Sequence, residues 1–167
     1  MSAIFALAET AYENPIDTVE QLVSDQDWPF ERCSDGDLAV CVSGSWCGYN
    51  LAFARSVEME TLTLSAAFDF RVPRPRRGEL CVLLALVNER LALGHFDLAA
   101  TEGMILYRHG VALGGGARAG AGQCEQMLQA ALDACERFYP AFQFVLWGGK
   151  TAEEALAGAI LDCRGEA

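Results

Sequence analysis

The chain has 167 residues and a mass of 18.0 kDa, enough for one domain and too little for a second independent core. Lys and Arg total 12 against 23 Asp and Glu, a net charge of −11, the wrong sign for gripping phosphate backbones or anionic lipid, so nucleic acid and membrane surfaces are set aside as partners. With 52% apolar and 21% charged residues, the composition also excludes intrinsic disorder.

Residues 1–13 read as an N-terminal extension to a single domain over 14–163. The extension carries no basic segment and reaches Glu9 after a short apolar run, so no secretory leader is expected. Asn14-Pro15-Ile16-Asp17 then opens a helix, with Asn14 as cap and Pro15 at the first helical position. Ile16, Val19, Leu22 and Val23 share one face, and the helix is expected to run to about Trp28-Pro29. Short segments with turn punctuation follow: Phe30–Cys33, Leu38–Ser43 and Trp46–Arg55, separated by Asp35-Gly36 and Gly44-Ser45. They predict an antiparallel meander. Thr61 to Phe70 alternates cleanly, with Leu62, Leu64, Ala66, Phe68 and Phe70 on the core side.

Val72-Pro73-Arg74-Pro75-Arg76-Arg77 is a stiff basic connector, because two prolines lack backbone donors. Counted from Arg71 it holds four of the twelve cationic side chains, and it reads as a solvated crossover into a helix rather than an anion-binding loop. That helix spans Glu79–Leu93, with Leu80, Leu83, Leu84, Val87 and Leu91 on the buried stripe and Gly94 as its stop. A hairpin, His95–Thr101 and Met104–Leu113, turns at Glu102-Gly103. After the glycine-rich loop Gly114–Gly122, a long helix begins at about Gln123, and a short last helix starts at Thr151 with Thr151 and Glu154 as a capping box. The order α-β-β-β-β-α-β-β-α-α predicts an α+β fold, an antiparallel sheet of five to six strands with helices packed on it.

Few side chains point to chemistry. Gly149-Lys150-Thr151 resembles the end of a phosphate-binding loop, but Phe144 stands where its first glycine is needed and helix precedes it. Gly114–Gly122 has no following Lys-Ser/Thr and reads as a flexible loop. His95 and His109 each stand outside any metal-binding spacing. The seven cysteines, Cys33, Cys41, Cys47, Cys81, Cys124, Cys135 and Cys163, contain no C-x-x-C pair and read as small core residues of a cytoplasmic protein. No catalytic residue, metal or cofactor is assigned.

The stretch Phe138-Tyr139-Pro140-Ala141-Phe142-Gln143-Phe144-Val145-Leu146-Trp147 is the most informative segment. Phe138, Phe142 and Val145 extend the stripe of the long helix, whereas Phe144 and Trp147 point elsewhere. Pro140 should kink the helix or start a fresh turn. Two readings stay open here. The segment is a helix buried between the sheet and the helix at 152–161, or its aromatics Phe138, Tyr139, Phe142, Phe144 and Trp147 form a partner or dimer surface.

Asn14-Pro15-Ile16-Asp17, Val87-Asn88-Glu89-Arg90-Leu91, Leu93-Gly94-His95-Phe96-Asp97, Tyr107-Arg108-His109, Phe138–Gln143 and Gly148–Thr151 together resemble the YbjN family of bacterial sensory transduction regulators. The resemblance runs from Asn14 over most of the chain. It implies a fold similar to that of the type III secretion chaperones (α-β-β-β-α-β-β-α), small acidic proteins that work as homodimers and hold a partner segment extended. The aromatic stretch and the extra C-terminal helix depart from that pattern. The expected function is a non-enzymatic protein-binding module, chaperone-like or regulatory, acting as a homodimer through apolar surface. One alternative is a small-molecule sensor, with a pocket between Leu62, Leu64, Phe68 and Phe70 and the Glu79–Leu93 helix. Another is a hydrolase with a Cys-His pair.

Overall fold

The computed structural model describes residues 14–162; Cys163 and the 1–13 extension lie outside the described residues. Helix α1 (Pro15–Asp25) starts where the Asn14 side chain accepts from the Ile16 amide at 3.1 Å. It stops three residues before Trp28, because Asp27 adopts a left-handed conformation (φ 56°) and the Trp28 amide turns back to Val23 O at 3.1 Å.

Six strands follow the expected pattern: β1 (Phe30–Arg32), β2 (Asp37–Ser43), β3 (Gly48–Ser56), β4 (Thr61–Arg71), β5 (His95–Ala99) and β6 (Met104–Ala112). They form one antiparallel sheet in the order β1-β2-β3-β4-β6-β5. The chain reaches β5 through the crossover helix α2 (Arg77–Asn88), and β6 then returns between β4 and β5. Helices α3 (Ala121–Leu146) and α4 (Ala152–Asp162) complete the α+β architecture. Trp46, expected in a strand, sits in the β2–β3 turn.

Because side chains alternate along each strand, one cross-strand row reads Phe30, Val40, Leu51, Ala66, Tyr107, Phe96, and the next reads Glu31, Ala39, Ala52, Ser65, Arg108, His95. The first row faces the helices and, apart from Phe30, is buried. The second stays accessible on the opposite face. That face carries small and polar side chains such as Ala52, Thr63, Ser65 and His95.

Helix α3, at 26 residues roughly 39 Å long, is the main cover of the sheet. Its buried stripe, Cys124, Met127, Leu128, Ala131, Cys135, Phe138 and Phe142, lies against β4 and β6. The pocket imagined between β4 and the 79–93 segment therefore has a different roof. Helix α2 instead packs on β5, α3 and α4, and Leu62, Phe68, Leu80, Leu83 and Val87 are filled into one continuous core.

Helix α2 ends at Asn88, short of Leu93, even though the apolar spacing continues to Leu91. The Asn88 side chain turns onto β5, and Gly94 takes the left-handed φ of 65° that reverses the chain. A Cβ at Gly94 would collide with the Tyr107 hydroxyl, which donates to Leu93 O at 3.0 Å.

Pro140 does not break α3. It lacks the N–H that would close on the Glu136 carbonyl, and the indole N–H of Trp46 donates to that same oxygen at 3.0 Å. The β2–β3 turn is thereby tied to the helix, and the Ser45 amide adds a second link to the Glu136 carboxylate at 2.8 Å. Gly44 makes this approach possible, since a Cβ there would run into Glu136 and the Tyr49 ring. The capping box at α4 is formed, with Thr151 N to Glu154 Oε2 at 3.1 Å and Glu154 N to Thr151 Oγ1 at 3.3 Å.

Candidate functional site

The aromatic stretch divides by helical phase. Phe138 and Phe142 are fully buried and Tyr139 nearly so; all three point at the sheet, where Phe68 receives Tyr139 at 5.2 Å and Phe142 at 5.5 Å between ring centres. Phe96 packs edge-on against Phe142 at 5.1 Å and Phe138 at 6.2 Å. In these offset and edge-to-face geometries the rings are core, presenting no face to a partner while the helix is docked. Phe144 is half-buried beside Gly158 of α4, where a Cβ would make a tight contact of 3.2 Å with the ring edge. Trp147 is 57% exposed and stands edge-on to Phe70 at 4.9 Å. The five residues thus do not make one surface. What the sequence lacked was the position of Phe68 and Phe96, which decides the side of the helix that faces inward.

A second apolar region lies on the outside of α2. Leu80 to Val87 is an unbroken apolar run of eight residues, twice what a one-sided stripe needs. Leu80, Leu83, Leu84 and Val87 are buried, while Cys81, Val82 (44%) and Ala85 are exposed. The signal was legible in the run itself, which leaves no polar side for the helix to show to water. Leu161 is 68% exposed on α4, which packs on α2. Both ends of α2 carry mixed charge: Arg74, Arg76 and Arg77 stand near Glu79 at its start, and Glu89 pairs with Arg90 at 3.8 Å just past its end.

Among the described residues the two histidines lie on opposite faces of the sheet. His95 is exposed on the open sheet face, whereas His109 projects from the helix-covered face with Nδ1 buried and without a hydrogen-bond partner. Burial lowers the His109 pKa, so its ring is neutral near pH 7. Cys33 points to Glu31 O at 3.8 Å, Cys41 to Asn50 Oδ1 at 3.3 Å and Cys124 to Ala119 O at 3.9 Å. Cys135 is buried on α3, and burial, reinforced by Cys47 and Glu136, pushes its thiol up to about 12. Burial likewise raises Cys47 and the Tyr49 phenol, the latter also facing the Glu136 carboxylate. These shifts hold the groups protonated, the opposite of what an activated nucleophile requires.

A groove of about 230 Å³ lies between the 90–93 turn and α3, where the Arg137 guanidinium covers the Phe138 ring at 5.0 Å. Another of about 310 Å³ lies beside α1, where Arg32 bridges Asp17 at 2.7 Å and Glu20 at 2.6 Å. Among the described residues, no three His, Cys, Asp or Glu side chains are grouped to hold a metal ion, and no helix is long and apolar enough to cross a membrane.

These features define a class: an α+β protein with a single antiparallel sheet, helices on one face and apolar helix surface left exposed. Within that class the particular assignment is direct. A family model described as "YbjN: Putative bacterial sensory transduction regulator" matches residues 15–144, and the chain belongs to that family. Among solved structures it is similar to the crystal structure of YbjN from E. coli, with 15% identity over 71% of this chain and 90% of that one at a TM-score of 0.48. It is similar also to the ExsC-ExsE complex, with 13% identity over 76% of this chain and 94% of that chain, again at 0.48. No curated protein matches the sequence.

Proposed function

We propose that this chain is a regulatory protein-binding module that catalyses no reaction of its own and acts in the cytoplasm as a homodimer through apolar surface. The observation that carries this reading is the outer face of α2, where Cys81, Val82 and Ala85 lie exposed with no charge between Leu80 and Val87. In a molecule of net charge −11, a second copy approaches most readily where neither copy presents a carboxylate. A two-fold axis across α2 sets the helices antiparallel. Over a helix of 12 residues, roughly 18 Å, it brings the Glu89–Arg90 pair of one copy toward the Arg74 and Arg76 end of the other.

Light scattering on the purified protein tests the reading. The wild type is expected at twice the monomer mass, and Val82→Glu at the monomer mass with its circular dichroism unchanged. Oxidation with copper-phenanthroline should link two chains through Cys81, and Cys81→Ser should abolish that product. A wild type that stays monomeric at all concentrations overturns the proposal.

A further inference from the structure

We infer that the open face of the sheet binds the oxyanion of a small organic acid, a phosphate monoester or a carboxylate, in the hollow bordered by Ser65, Arg108 and His95. The hollow, of about 400 Å³, lies over β4, β6 and β5 on the face that the helices leave uncovered. Ser65 pairs with Arg108, and Arg108 with His95, so the three side chains stand in one row across three strands, roughly 10 Å from end to end. None of the three has a hydrogen-bond partner among the described residues. A hydroxyl, a guanidinium and an imidazole N–H are all donors, and a row of them suits an acceptor-rich ligand. The lining contains no carboxylate, although the chain carries 23. Arg108, 51% exposed, turns its Nε toward Asp97 at 3.8 Å, beyond hydrogen-bond reach. That leaves its two terminal amino groups to hold an oxyanion by parallel N–H···O bonds.

Gly110 gives a second, independent indication. It lies inside β6 next to Arg108 on the same face, and a Cβ there would meet only Thr63 Cγ2, at 3.7 Å, an ordinary contact. Packing therefore does not require glycine at this position, and glycine weakens a strand interior. The missing side chain keeps the end of the hollow open. The charged end of the ligand sits against Arg108, Ser65 and His95, and its uncharged remainder lies over Gly110 and Thr63. This inference does not depend on the α2 seam, because α2 packs on the other face of the sheet.

The test is isothermal titration calorimetry of the full chain with glycerol phosphate and with glycerate, at constant pH and ionic strength, with glycerol as the uncharged control. Saturable binding of one anion or both is expected, and none of glycerol; the anion that binds distinguishes phosphate from carboxylate. Arg108→Gln should weaken binding about tenfold or more, the loss of one charge-assisted pair. Gly110→Ile keeps every donor, suits a strand and fills the hollow, so binding should be lost while circular dichroism is unchanged. In the wild type the ring signals of His95 should move during an NMR titration while those of His109, on the helix-covered face, stay. Should a variant fail to fold, the other variant and the two histidines give the reading. Absence of saturation with both anions, saturation with glycerol, wild-type affinity in either folded variant, or movement of His109 without His95 overturns the inference.

Discussion

Thiol reactivity depends on exposure and on the fraction of thiolate, and the cysteines of this chain span both extremes. Cys33, Cys41 and Cys81 are exposed, while Cys124 and Cys135 are buried, with burial raising the pKa of both. In the native protein a chromogenic disulfide reagent should label Cys33 and Cys41 promptly, label Cys81 promptly only where the α2 seam is open, and reach Cys124 and Cys135 only on addition of denaturant. Prompt labelling of Cys135 would contradict the buried placement. His109 makes a separate prediction. Its folded pKa lies below the ordinary value of about 6.5 because burial disfavours the charged ring. Between the folded and unfolded values the unfolded chain holds the extra proton. Stability is therefore full above about pH 6.5 and declines as pH falls toward the folded value. Urea midpoints for the wild type and His109→Gln should diverge less at acid pH than at pH 8, because the variant lacks this slope.

At the level of elements, the docking of the β2–β3 turn on α3 rests on a proline and a tryptophan acting together. Trp46→Phe leaves the Glu136 carbonyl without a donor and should cost about 1 kcal/mol. In a Pro140→Ala background the helix supplies its own N–H, so the same change should cost less, and a double-mutant cycle by urea unfolding reads the difference. The core and exposed members of the aromatic stretch should separate just as sharply. Phe142→Ala is expected to lose about 3–5 kcal/mol and Trp147→Ala less than about 1 kcal/mol.

Strands β2 to β4, α1 and the stripe of α3 were legible in the sequence because their buried positions follow a single period, as in Leu62, Leu64, Ala66 and Phe68. The end of α2 was not. Leu91 keeps the helical spacing, and the side chain that stops the helix, Asn88, finds its partner on β5 only in the folded chain. The aromatic stretch was ambiguous for a related reason, since Phe138 and Trp147 are equally apolar as letters and differ only in what lies opposite them.

For the whole molecule the dominant fact is the excess of carboxylates. Two copies of net charge −11 repel at long range, and screening shortens that repulsion. Sedimentation equilibrium at low and high salt should show self-association strengthening as salt is added. Weakening would mean that Arg–Glu pairs at the ends of α2 dominate the contact. The bond from Trp46 to the Glu136 carbonyl joins positions 90 residues apart, so one acceptor of α3 is satisfied by a distant turn and not by the helix itself. A truncation or loosening of the meander is therefore felt in the C-terminal third of α3, far along the chain, through this one anchor.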